Sequence, residues 1–246
     1  MRKKCYLVLM MNLLSASVMA GAMGESVSPW NYVAALSIGP VWENEGAAQT
    51  FFLAPEIEKT YTADKSTHAL ADFEVFFGLQ KALTTTFWGQ LGIAAAATTN
   101  ARLSGDIWDD ADPEFDNFTY SYKMKHTHVA AKGKLLADMG FIVIPWVSGS
   151  IGVGFNEASS FINTPKIFEA LPNPNFASHT QTAFTYTVGG GIQKVLSQNW
   201  QVGVGYEFAD WGKSQLGRAS GQTIGEGLEL NHFYTNGVLF NITYLA

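Results

Sequence analysis

Cysteine is almost absent from this chain: the single one, Cys5, lies in the N-terminal apolar stretch. A chain cut downstream of it has no thiol, which excludes a disulfide framework, a cysteine-ligated metal and thiol catalysis. Long hydrophobic runs are equally scarce. The only one spans about Cys5 to Leu14, shorter than the roughly 20 residues a helix needs to cross a bilayer, and no later run is longer. Charge is sparse too, at 15% of residues, and leans acidic, with 15 Lys and Arg against 21 Asp and Glu. Nucleic acid and other polyanions are therefore poor candidate partners.

The N-terminus itself has a readable order. Met1-Arg2-Lys3-Lys4 is basic, a mostly apolar stretch follows from about Cys5 to Leu14, and Val18-Met19-Ala20-Gly21-Ala22 is small. That order predicts a secretory signal peptide over residues 1–22, cleaved after Ala20 or Ala22. Cys5 precedes the apolar stretch, so lipoprotein processing at that cysteine does not fit. Cleavage after Ala22 removes Arg2, Lys3 and Lys4 and moves the formal net charge from -6 to about -9. About 224 residues remain, enough for one all-β domain.

What is present is apolar and aromatic residues at every second position. Side chains of a strand alternate between faces, so each such segment has one oily wall and one polar wall. Tyr32, Leu36, Ile38 and Trp42 oppose Asn31, Ser37 and Gly39; Phe73, Val75, Phe77 and Leu79 oppose Asp72, Glu74, Gly78 and Gln80. Phe87, Leu91 and Ile93 face away from Gln90 and Gly92, and Val129, Ala131 and Leu135 from His128, Lys132 and Lys134. The same holds for Val143 to Phe155, Phe184 to Gln193, Trp200 to Phe208 and Tyr234 to Tyr244. A soluble β-sandwich also alternates, but its polar face is a coat of Lys and Glu. Here that face is Gly, Ser, Thr and Gln, which suits a narrow barrel lumen. The oily face carries Trp30, Trp42, Phe87, Trp200 and Tyr244 toward its ends, where a wall would cross two headgroup layers.

Gly78-Leu79-Gln80-Lys81-Ala82-Leu83-Thr84 recurs as Gly191-Ile192-Gln193-Lys194-Val195-Leu196-Ser197, each followed by an aromatic residue that opens another strand. Leu136 to Gly140 supplies a third short turn. The spacing predicts an all-β fold, an eight-stranded antiparallel up-and-down transmembrane β-barrel over residues 23–246. Its long connections fall near 43–67, 100–119, 156–180 and 213–230. Gln49 to Tyr61 is ambiguous, because a second crossing there would change the count.

These residues resemble the small outer-membrane β-barrel superfamily that includes the opacity-protein-like and OmpA-like porin families, over nearly the whole chain after the signal. The final strand, with Asn236, Gly237, Phe240, Ile242 and Tyr244, is similar to the signal by which such barrels are presented to the barrel-assembly machinery; Tyr244-Leu245-Ala246 stands where the terminal Phe is customary. Leu103 to Trp108 and Gly205 to Gly212 are similar to barrels of Legionella-type bacteria. The resemblance implies the bacterial outer membrane, outer-membrane lipid as surroundings, periplasmic termini and extracellular long loops, and little about activity.

Candidate chemistry is limited. Asp72, Glu74, Lys132, Lys134 and Glu207 share the lumen face and could pair across a narrow interior, as a plug or as a gate. Asp106, Asp109, Asp110, Asp112, Glu114 and Asp116 are dense enough for Ca²⁺, without the spacing of an EF-hand; a solvated acidic loop explains them as well. His126 and His128 lie on one face without a nearby third ligand. Ile107-Trp108 and Phe161 to Phe176 offer either contacts to a partner or packing between loops. No metal or other cofactor is expected. The sequence favours a non-enzymatic outer-membrane protein with a structural or surface-interaction role through its loops, with limited small-solute passage as an extension and an extracellular ligand at the loops as the partner. The alternative is a lipid-modifying hydrolase or acyltransferase, which requires Ser, His and acid within reach of one another at the rim.

Overall fold

A computed structural model describes residues 30–43, 46–65, 69–171 and 173–246. The expected signal peptide lies outside the described residues. The strands, in chain order, are β1 (Asn31–Glu43), β2 (Gln49–Ala54), β3 (Ile57–Tyr61), β4 (Ala69–Ala82), β5 (Phe87–Thr98), β6 (Ala101–Asp109), β7 (Asp116–Ala137), β8 (Ile144–Pro165), β9 (His179–Val195), β10 (Trp200–Asp210), β11 (Ser214–Gln215), β12 (Glu229–Leu230) and β13 (Tyr234–Leu245).

Eight of them close into an antiparallel ring in the order β1, β4, β5, β7, β8, β9, β10, β13, with β13 returning to β1 through pairs such as Ala34 with Tyr244. Closure leaves no sheet edge, and so no unpaired ladder, inside the wall. The alternation places Leu91, 67% exposed, on the outside and Ala94, fully buried, on the inside. Phe77, Ile93, Val147, Ile151, Phe184 and Phe240 are likewise exposed. A continuous apolar exterior of this kind is stable only in lipid.

The repeated hairpins share one turn chemistry. Leu83 and Thr84 donate their N–H groups to the carbonyl of Phe87, and Leu196 and Ser197 donate theirs to that of Trp200. The hydroxyl of Thr84 accepts from Phe87 N at 3.0 Å and that of Ser197 from Trp200 N at 3.2 Å. The near-identical segments thus encode a hydroxyl-tied turn followed by an aromatic strand start.

The strands are unequal. β7 and β8 run 22 residues each, far longer than the 12 of β5, so their upper halves continue beyond the ring. There the pattern inverts. In the lower part of β7, Val129, Ala131 and Leu135 face out while His128 and Lys132 face in; further up, Phe118, Tyr120, Tyr122 and Met124 are buried and Lys123 and Lys125 are exposed. Once the sheet leaves lipid, its oily face must turn inward.

The segments expected as long connections are accordingly rich in strand. Residues 100–119 hold β6, a 3-10 turn at Pro113–Phe115 and the start of β7, paired as a hairpin. Gln49 to Tyr61 forms the β2–β3 hairpin, which docks on β6 through Lys59 with Asp109 and Tyr61 with Ile107. It does not cross the wall, so the ring keeps eight strands. These extensions and the chain from Trp211 to Phe233 enclose a core of Tyr61, Ile107, Tyr120, Phe161, Phe176, Leu216 and Leu228 over the barrel. Phe161 and Phe176 meet edge to face at 4.8 Å between ring centroids. Of the contact candidates in the loops, Ile107, Phe161 and Phe176 are therefore interior packing.

Candidate functional site

The lumen is filled in layers. At the end where Tyr32 and Ala246 exchange backbone hydrogen bonds, glutamines span neighbouring strands: Gln90 donates to Gln80 at 2.7 Å and Gln193 to Gln201 at 2.6 Å. Each glutamine lies inward because it is an odd number of residues from an outward side chain on its own strand, Gln80 from Phe77, Gln90 from Phe87, Gln193 from Ile192 and Gln201 from Trp200.

Above this layer the structure brings three of the five charged lumen candidates together. Lys132 on β7 reaches Glu74 on β4 at 2.7 Å and Glu207 on β10 at 2.9 Å, with all three side chains buried. The lysine crosses the interior to carboxylates on two walls. Lys134 is not part of this triad: it donates to Gln193 at 2.6 Å and lies 4.5 Å from the centre of the Trp146 ring. Asp72, 2% exposed, makes no ion pair among the described residues. Trp146 rests on a floor made by glycine, since a Cβ on Gly205 would come within 2.3 Å of its ring. Between the triad, Trp146 and Asn241 is a cavity of about 40 Å³, room for a few waters. The otherwise unbonded Ser148 Oγ, Asn241 Oδ1 and Thr243 Oγ1 are the polar partners such waters need.

The next layer adds to the candidate His126 and His128 a residue that the sequence pattern did not single out, Trp211. Trp211, fully buried, lies 4.0 Å from the centre of the His126 ring and 4.7 Å from that of His128. Its indole N–H donates to Thr235 Oγ1 at 2.8 Å. Asn156 bonds His126 Nδ1 and donates to the carbonyls of Trp211 and Lys213, both at 2.8 Å. The chain enters the lumen here because Asp210 accepts from Gly212 N at 2.8 Å and Gly212 takes φ +72°, a turn that an L side chain would strain. The signal was available: Trp211 is in phase with the inward Gln201, Gly205 and Glu207.

The acidic segment does not converge on one point. Asp106 and Asp116 pair with Lys166 at 2.7 and 2.6 Å, Asp109 pairs with Lys59, and Asp112 accepts from Glu114 N at 2.9 Å. Among the described residues no group of three or more His, Cys, Asp or Glu is arranged to hold a metal ion. At the rim, Asp210 lies 3.0 Å from His232 Nδ1, a carboxylate–imidazole pair that the sequence reading did not single out. Among the described residues His232 Nδ1 is bonded to Asp210, and no serine hydroxyl bonds the ring.

The residues of the expected assembly signal all lie on β13. Phe240, Ile242 and Tyr244 face outward, Asn236 accepts from the Tyr206 hydroxyl at 2.9 Å, and Gly237 sits where a Cβ would be 2.3 Å from the Pro40 carbonyl.

A closed eight-stranded ring, an oily exterior and a polar, filled interior define a small transmembrane β-barrel of the outer-membrane type. Solved structures with a related fold include Neisserial surface protein A (11% identity, 89% of this chain and 99% of that one, TM-score 0.45), the outer membrane protease OmpT from Escherichia coli (9%, 91% and 99%, 0.47) and the outer membrane protein OprG from Pseudomonas aeruginosa (10%, 89% and 97%, 0.38). At these identities and TM-scores none of them bears on what this chain does, and the fold is read from its own hydrogen-bonded ring. No protein-family model and no curated protein matches the chain.

Proposed function

We propose that this protein is a closed, non-enzymatic outer-membrane scaffold that presents a rigid sheet at the cell surface. The supporting observation is a lumen blocked twice, by the Lys132–Glu74–Glu207 triad and by Trp211 packed on His126 and His128. Solute passage has no route through two side-chain layers, whereas the upper halves of β7 and β8, braced by β2, β3 and β6, form a platform suited to an extracellular ligand. In this reading the termini are periplasmic, the long loops are extracellular, and β13 is what the barrel-assembly machinery engages through Asn236, Gly237, Phe240, Ile242 and Tyr244.

The test is single-channel recording from signal-cleaved, refolded protein in planar bilayers. The expected trace is flat at any moderate voltage, from a barrel that shifts on a gel when heated. Reproducible ion steps from the unsubstituted chain would overturn the closed reading and favour limited solute passage.

A further inference from the structure

The inversion on β7 leaves a particular set of charges at one height. Arg102 on β6 and Lys123 and Lys125 on β7 are exposed, and Arg102 stands directly beside Lys123 in the β6–β7 register. Lys125 is two residues above Thr127, about 7 Å along the strand, and Thr127 is level with the outward Phe155 and Ala97. The three cations therefore sit where the apolar wall ends. Lys123 and Lys125 form no ion pair among the described residues, and Arg102 donates only to Ser121, at 3.2 Å. The carboxylates nearby are Glu157, opposite Lys125 in register without an ion pair, and Asp64, which accepts from Ser104. Elsewhere on the protruding sheet the cations are neutralised, Lys59 by Asp109 and Lys166 by Asp106 and Asp116. An acidic chain thus keeps unpaired positive charge at the headgroup level.

A second feature lies beneath it on the same strands. The outer wall is indented where Ala131 of β7 and Gly149 of β8 provide almost no side chain, and Ile151, Phe184, Tyr186 and Val188 form the flanks. Ala131 is six residues below Lys125, roughly 20 Å along the strand, a distance an acyl chain covers. The indentation is at membrane depth, where only lipid or another membrane chain can enter.

We infer that β6, β7, β8 and β9 form a binding site for one phosphorylated lipid, its phosphate held by Arg102, Lys123 and Lys125 and an acyl chain laid over Ala131 and Gly149. Charge complementarity selects an anionic headgroup, and the small residues select a chain of saturated carbon over a protruding side chain. The site depends on the transmembrane reading of the wall and is independent of whether the lumen is closed.

The experiment reconstitutes the signal-cleaved protein in phosphatidylcholine nanodiscs containing a little lipid A, or the same lipid with its phosphates removed, and counts retained lipid by native mass spectrometry. The unsubstituted chain is expected to keep one lipid A and to discriminate against the dephosphorylated form. The triple variant R102Q/K123Q/K125Q should bind about 100-fold more weakly. Gly149→Leu, where a Cβ meets nothing closer than 3.6 Å, should lose retention with the cations intact, and Lys166→Gln should not change it. Equal retention of both lipids by an inserted, heat-modifiable barrel overturns the site alone, as does disulfide capture of a second copy through Ala131→Cys. A parent chain that fails to insert overturns the barrel reading together with the site.

Discussion

Replacing Lys132 with alanine should lower the unfolding free energy by about 3–5 kcal/mol, because it leaves Glu74 and Glu207 buried without their shared counter-ion. The expected loss exceeds that for a surface pair, which contributes at most about 1 kcal/mol. Three strands, β4, β7 and β10, are joined by this one ammonium group, and none is a neighbour of another in the ring. The lysine thus acts across the lumen and not along the wall. Combining Lys132→Met with Glu74→Gln and Glu207→Gln removes the charges together and should recover most of the loss, since a neutral buried set carries no uncompensated ion. Urea unfolding from lipid vesicles, followed by tryptophan fluorescence, measures both. If Lys132→Ala costs no more than about 1 kcal/mol, water reaches the triad freely and the layer is not a seal.

How much of this was legible depends on which solvent each face meets. The wall was legible because lipid outside and polar groups inside impose one rule on β1, β4, β5, β9, β10 and β13, and Leu91 against Gln90 reads the same way as Phe240 against Asn241. Above the membrane the rule reverses, and a search for one pattern stops where β7 passes from Val129 through His126 to Met124. Residues 100–119 looked like a loop for the same reason, with Asp110, Ala111 and Pro113 making a turn between two strands whose oily faces now point inward. The charges of the lumen were visible by phase, but phase alone could not say which would meet. Lys132 and Lys134 share a face, yet only Lys132 is level with Glu74 and Glu207; Lys134 is lower, among Gln193 and Trp146. Trp211 was missed although it keeps the inward phase of β10, since an aromatic after Asp210 and before Gly212 resembles the end of a strand more than a stopper.

That stopper gives the second large expectation. Trp211→Ala removes a fully buried indole that covers both His126 and His128, and should cost about 3–5 kcal/mol. Trp211→Phe keeps most of the ring and forfeits the hydrogen bond to Thr235, so its loss should include about 1 kcal/mol for that bond and remain well below that of alanine. The functional consequence follows from the order of the layers. Trp211 and the triad block the same lumen at successive levels on β7, at His126 and at Lys132, six residues or roughly 20 Å apart along the strand. Two blocks in series mean that opening either one leaves the other, so Trp211→Ala alone should remain electrically silent in a planar bilayer. Steps should appear only when Trp211→Ala is joined with Lys132→Met, Glu74→Gln and Glu207→Gln, with urea unfolding on each variant showing that the barrel still forms. Conductance from Trp211→Ala by itself would mean that the triad is permeable and that the indole is the sole gate. A silent quadruple variant that still folds would instead place the decisive closure in the aromatic core above, where Tyr61, Phe161 and Phe176 pack over the barrel mouth.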